Sequence, residues 1–281
     1  MREIDVKEII PIVKKLCIDS NFYIGKDVIS KIKEFKTKEE SPIAINVLNI
    51  LLKNYELAEK ENMPICQDTG VAVCFVELGQ NIHLVGGDFT EAINEGVRQG
   101  YKEGYLRKSM VDDPVIKRIN TKDNTPAIIY TEIVPGDKLK ITVAPKGGGS
   151  ENMSEVKMMK PADGITGVMD FVVDRVARSG GNPCPPIVVG VGLGGNFEQS
   201  ALLAKRSLLR SLTEKNPDQK WAEVEAEILK RINDLGIGPQ GLGGRTTALG
   251  VHILSKPCHI ASMPVAVNIQ CHAARHKSAI I

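Results

Sequence analysis

The chain has 281 residues, 42% hydrophobic and 25% charged, the balance of an ordinary globular protein with enough apolar material for a substantial core. Aromatic residues are only 4% of the total, and 36 basic residues against 34 acidic ones leave a net charge of +2, which excludes an aromatic base-stacking platform or a segregated basic face for nucleic acid. No apolar run approaches the roughly 20 residues that span a bilayer, and the N-terminal MREIDVKEIIPIVKKLC is too densely charged for a secretory signal. The expectation is a cytoplasmic protein with no membrane anchorage and no nucleic-acid partner, which acts on small molecules or other proteins.

Residues 5–59 read as helices: Val6, Ile9, Ile10, Val13, Leu16 and Cys17 recur at helical spacing, followed by second and third helices over 28–35 and 43–59. After Pro64 the texture changes. VAVCFVEL has the continuous apolar character of a buried strand, and 89–105 that of a helix. AIIYTEIV and KLKITVAP are separated by PGD, a turn signal that predicts a hairpin. GGGSENMS follows, then a helix over 161–178, the strand PPIVVGVG, helices over 197–212 and 221–235, and the strands TALGVHIL and PVAVNIQC. No internal repeat or long linker interrupts this order. The fold class expected is mixed α/β (α+β), a single domain over 1–281 with a helical N-terminal layer over 1–60.

Three glycine clusters stand out. GVGLGG places Gly190, Gly192 and Gly195 in a G-x-G-x-x-G pattern between a predicted strand and a predicted helix. A nucleotide-binding protein is therefore one reading, although the second strand with its acidic end, expected about 20 residues on, is replaced by the helical NPDQKWAEVEAEILKRI. GGGS, at 147–150, could form a nest of backbone amides for carboxylate or phosphate oxygens, or a plain surface loop. GPQGLGGRTT has the same ambiguity.

Six irregularly spaced cysteines are not a disulfide framework. Cys17 and Cys74 fall on apolar faces and read as small core residues. Cys66 in PICQDTG, Cys184 in NPCPP and Cys271 in IQCHAARH stand in polar or proline-bound loop settings, and Cys258, beside His259, is a fourth candidate. No C-x-x-C pair is present, so each cysteine taken singly suits a structural role as well. Separated by 118 and 87 residues, Cys66, Cys184 and Cys271 could still converge on a cubane cluster, leaving one iron free of protein ligands to act as a Lewis acid.

Taken together, PICQDTG, LRKSMVDDP with RINTKDNTPA, GGGSENMSEVKMMKPADG, GNPCPPIVVGVGLGG and MPVAVNIQCHAARH resemble the class I, iron-sulfur-dependent fumarate hydratases and the related L-tartrate dehydratases, across nearly the whole chain. The resemblance implies a [4Fe-4S] cluster held by Cys66, Cys184 and Cys271, with Cys258 set aside. It implies substrate contacts at Gln67, Asp68, Arg107, Gly149 and His259, with Asp68 and His259 the candidates for proton transfer. Each assignment suits its residue type: Arg107 can grip a carboxylate bidentately, the Gly149 amide can bind an oxygen, and Asp68 can act as acid or base. Asp68 could equally cap the QDTG turn. The similarity is to the family's N-terminal half, so it also implies a beta subunit that completes the active site, in an α2β2 assembly. The reaction implied is the reversible, oxygen-sensitive hydration of fumarate to (S)-malate, with dehydration of L(+)-tartrate to oxaloacetate as the alternative. A nucleotide-binding protein using GVGLGG, or a non-catalytic scaffold, are the readings from other classes.

Overall fold

The computed structural model describes residues 1–281. In chain order its elements are β1 (Arg2–Asp5), α1 (Ile9–Phe22), α2 (Lys26–Lys38), α3 (Pro42–Glu61), β2 (Val71–Gly79), β3 (Ile82–Val85), α4 (Phe89–Glu103), β4 (Ile128–Val134), β5 (Leu139–Lys146), α5 (Gly148–Glu151), β6 (Glu155–Met159), α6 (Gly164–Ser179), β7 (Ile187–Gly195), α7 (Phe197–Ser207), α8 (Gln219–Asn233), β8 (Ala248–Cys258), β9 (Met263–Gln270) and β10 (Lys277–Ile280). The class is mixed α/β, as expected. The chain folds as two compact units: Met1–Ile24 with Tyr55–Gly148 and Arg275–Ile281, and Gly25–Asn54 with Gly149–Ala274.

In the first unit the sheet order is β10-β5-β2-β4, beside a separate parallel pair of β1 and β3. β2 is the central strand, parallel to β4 and antiparallel to β5, which is why VAVCFVEL is apolar on both faces. The predicted β4–β5 hairpin is not formed, because the two strands lie on opposite sides of β2. The PGD segment is a turn, but it carries the chain across the end of β2, where the Gly79 and Asn81 N–H groups donate to the Lys138 and Gly136 carbonyls. Only a glycine fits at that crossing, since a Cβ on Gly79 would stand 2.6 Å from Gly136 O. On one side of the sheet α1 buries Ile9, Val13, Leu16 and Cys17, the helical stripe read from the sequence. α4 approaches α1 closely because Gly96 and Gly100 replace side chains there; Cβ atoms at those positions would meet Val13 Cβ at 2.6 Å and Cys17 Cβ at 2.8 Å.

The second unit repeats this layout with different residues. Its sheet order is β6-β9-β7-β8, with β7 central, parallel to β8 and antiparallel to β9. α7 packs on β7 at very short range. A Cβ on Gly190 would lie 2.1 Å from Ala204 O, and one on Gly192 would lie 2.0 Å from Ser200 O. Gly190, Gly192 and Gly195 are therefore strand residues, the first two buried under α7, and the alternative reading of GVGLGG as a phosphate loop has no loop to rest on. The N-terminal helices expected from the sequence are present as α1, α2 and α3, preceded by β1; α1 belongs to the first unit, α2 to the second, and α3 is divided between the two at Asn54 and Tyr55. The corner between α2 and α3 is fixed by Glu39, whose carboxylate accepts from the N–H groups of Arg245 and Thr246 and from the Thr246 hydroxyl.

Candidate active site

In the first unit, PICQDTG forms a tight turn leading into β2. Gly70, at φ +73°, makes the sharpest bend, and a Cβ there would collide with the Lys146 backbone at 2.7 Å. Asp68 spends both carboxylate oxygens on this geometry: Oδ1 accepts from Gly70 N–H at 3.0 Å and Oδ2 from Gly148 N–H at 2.9 Å. Asp68 thus does cap its own turn, and it also ties the turn to the glycine segment at the end of β5. Each oxygen keeps a second lone pair for other partners. Cys66 is half-buried, with its thiol 3.3 Å from the exposed Gln67 Oε1.

The turn is also pinned from beneath by residues that sequence reasoning did not single out. Arg275 Nη2 donates to Asp68 O at 2.6 Å, Tyr101 Oη donates to Thr69 O and Gly70 O, and Asn124 Nδ2 donates to Gly70 O. Burial, and then the nearby Cys17, hold the Tyr101 phenol well above its ordinary pKa, so it remains a donor. Thr69 Oγ1 donates to the carbonyl of Arg107, fixing the backbone of that exposed residue, whose guanidinium has no carboxylate partner within the chain.

In the second unit, Cys184 is exposed and adopts φ +56°, a left-handed conformation that costs a residue with a side chain about 1 kcal/mol or more. Its loop is clamped on two sides. Gln240 donates its N–H and its side-chain Nε2 to Pro185 O, both at 2.8 Å, and His272 N–H donates to Cys184 O at 3.2 Å. That last bond brings the half-buried Cys271 segment beside the Cys184 loop, so two of the three candidate cysteines sit together at the end of the sheet where β7 begins and β9 finishes. The third glycine cluster has its explanation here: at φ +70° Gly238 lets the loop fold onto itself beside Gly243, presenting Gln240 to the cysteine loop.

Gly149 is exposed in α5. His259 lies in the exposed connection from β8 to β9, where its Nδ1 accepts from Ala261 N–H and leaves Nε2 as the donor. Gly195 pairs with Cys258 and Val188 with Gln270, so His259 stands at the opposite end of β7 from Cys184 and Cys271. The nine residues of β7 span about 30 Å between those ends. Cys17 and Cys74 are fully buried, and desolvation pushes the Cys74 thiol up to about 12 and the Cys17 thiol higher than usual as well. Neither suits a thiolate ligand.

A family model described as fumarate hydratase (fumerase) matches residues 10–280. The chain belongs to the fumerase family. It is 42% identical, over 94% of both chains, to a protein of Methanocaldococcus jannaschii named provisionally as the alpha subunit of an L(+)-tartrate dehydratase. It is 32% identical to the L(+)-tartrate dehydratase subunit alpha of Escherichia coli K12, over 91% of this chain and 84% of that one, and 33% identical to its counterpart in strain UTI89, over 89% and 82%. The chain is thus a fumerase-family hydro-lyase of the alpha-subunit type.

An iron-sulfur cluster would need accessible thiolates on fixed backbone, and the donor chemistry fits. Cys66, Cys184 and Cys271 lie outside any disulfide, at or near the surface, each on a loop held by backbone hydrogen bonds, whereas the buried Cys17 and Cys74 are kept protonated. Cys66 belongs to the first unit and the other two to the second, and within neither unit do three His, Cys, Asp or Glu side chains already gather as a metal site. In both units the cysteine precedes the central strand, Cys66 before β2 and Cys184 before β7.

Proposed function

We propose that this chain is the alpha subunit of a [4Fe-4S]-dependent dehydratase of L(+)-tartrate, with Cys66, Cys184 and Cys271 as cluster ligands and a beta subunit completing the site. The single observation that carries the substrate choice is the 42% identity, over 94% of both chains, to a relative bearing the tartrate name. Reversible hydration of fumarate to (S)-malate is the second reading, supported by the family description itself. When bound, the cluster would supply an iron lacking a protein ligand, a Lewis acid for the hydroxyl that leaves.

This chain's own residues would do the rest. The unpaired guanidinium of Arg107 grips a substrate carboxylate, in a charge-assisted and preferably bidentate pair. Gln67, exposed next to the first cysteine, reads a hydroxyl or carboxylate oxygen, and the Gly149 amide offers another donor. Asp68 is anchored through one lone pair of each carboxylate oxygen, which fixes its orientation; the remaining lone pairs can hold a proton during the elimination. His259 stands at the far end of β7 from Cys184 and Cys271, and we assign it a substrate contact at a subunit boundary.

The test is anaerobic co-expression with a beta subunit, followed by iron and sulfide analysis and steady-state kinetics on L(+)-tartrate, (S)-malate and fumarate. A kcat/KM for tartrate at least tenfold above that for malate is expected. The reverse order would move the assignment to fumarate hydration, and a complex with neither activity would refute both. Asp68→Asn should lower kcat by roughly a hundredfold or more, the usual scale for losing a general acid or base, with the cluster retained.

A further inference from the structure

Arg275 lies four residues after Cys271 and is 5% exposed. Nη2 is bonded to Asp68 O, but Nε and Nη1 are buried without any acceptor. A guanidinium stays charged at any accessible pH, so two unpaired donors on a desolvated cation are costly. No carboxylate forms an ion pair with Arg275, and the neighbouring Tyr101 phenol is held neutral by burial. Orphaned donors of this kind mark an acceptor that the polypeptide does not itself supply. An anionic acceptor beside the turn that carries Cys66 would satisfy both the donors and the charge, because the third nitrogen of the same guanidinium is fixed to that turn.

We propose that Arg275 is a positioning residue that holds the PICQDTG turn through Nη2 and gives its two remaining donors to the sulfur of the iron-sulfur cluster. The inference rests on the cluster reading above. A cubane with three thiolate ligands is net negative, and N–H···S bonds to its sulfur atoms stabilise it and raise its reduction potential. The same guanidinium would couple the position of Asp68 to cluster binding, since one side chain touches both.

The deciding experiment uses the complete complex, loaded anaerobically, free of substrate and reduced with dithionite, with arginine labelled with 15N in the guanidinium. Pulsed EPR should detect 15N coupling to the cluster spin that persists in Arg107→Lys and disappears in Arg275→Lys. Iron loss to a chelator should be about tenfold or more faster in Arg275→Lys, the lower end of the effect of removing such a supporting partner. The wild-type spectrum needs no variant to fold. A loaded complex without arginine 15N coupling, with coupling unchanged in Arg275→Lys, with coupling lost in Arg107→Lys instead, or with coupling appearing only after substrate is added, overturns this inference and leaves the cluster reading standing. A complex holding no iron or sulfide overturns both.

Discussion

At the residue scale, the environments of the cysteines carry the proposed division between cluster ligands and core residues. Serine in place of Cys66, Cys184 or Cys271 should abolish iron and sulfide incorporation, whereas alanine in place of Cys17 or Cys74 should leave cluster content unchanged and lower the melting temperature through the small cavities created. Metal analysis beside calorimetry of the same variants checks both halves, and cluster loss in the Cys17 or Cys74 variants would refute the assignment. His252 gives a second, independent expectation. It is buried on β8, with Nδ1 3.1 Å from Ser207 O, and burial, then the nearby Arg210, lower its pKa from 6.5 to about 4. The unfolded chain therefore takes up a proton below pH 6.5 that the folded one refuses until about pH 4. Stability should fall by about 3 kcal/mol across that window and level off below it. Urea melts from pH 7.5 to 4 should show this loss, and His252→Asn should flatten it.

At the scale of elements, both central strands depend on what glycine leaves out. Gly192→Ala would place a methyl group 2.0 Å from Ser200 O, an atom of the α7 backbone that cannot rotate away, so the helix must lift off β7. The expected cost is about 3 kcal/mol or more, at the upper end for overpacking, and chemical denaturation will measure it. Gly148→Ala is the control: nothing lies within 4 Å of its absent Cβ, so stability should be nearly unchanged. GVGLGG is thus a packing device between strand and helix rather than a ligand loop. Its pattern resembles a nucleotide fingerprint because both uses require backbone to approach closely.

For the whole molecule, the two units share one plan: a central strand, a parallel neighbour on one side and an antiparallel neighbour on the other. The cysteine-bearing loop enters the central strand in each. No sequence repeat accompanies this likeness, since strand pairing constrains burial and turn chemistry rather than residue identity. Relatives named as alpha subunits lead to an expectation at this scale: the chain alone should show under about a hundredth of the dehydratase activity of the co-expressed complex, because the positioning and proton-transfer groups of one site then fall on two chains. Adding purified beta subunit to the loaded chain should restore activity, and light scattering should report an α2β2 mass. Full activity of the isolated chain would refute the shared site.

The sequence by itself determined the longer helices and the six longer strands in their order, because the helical stripe of α1 and the continuous apolar run of β2 are local patterns set by which faces are buried, whereas the short strands β1, β3, β6 and β10 carry too few residues to show one. It also marked PICQDTG, NPCPP and IQCHAARH, where polar residues and proline interrupt core-forming runs. Only the tertiary structure decided that β4 and β5 flank β2 instead of pairing, since a turn signal says where the chain bends and not which strand it next meets. The roles of Tyr101, Asn124, Gln240 and Arg275 were equally hidden: each acts on a segment distant in sequence, through hydrogen bonds to carbonyls that every residue possesses. What holds the candidate site in place is therefore written in long-range backbone geometry, and what the site is made of is written in local residue types.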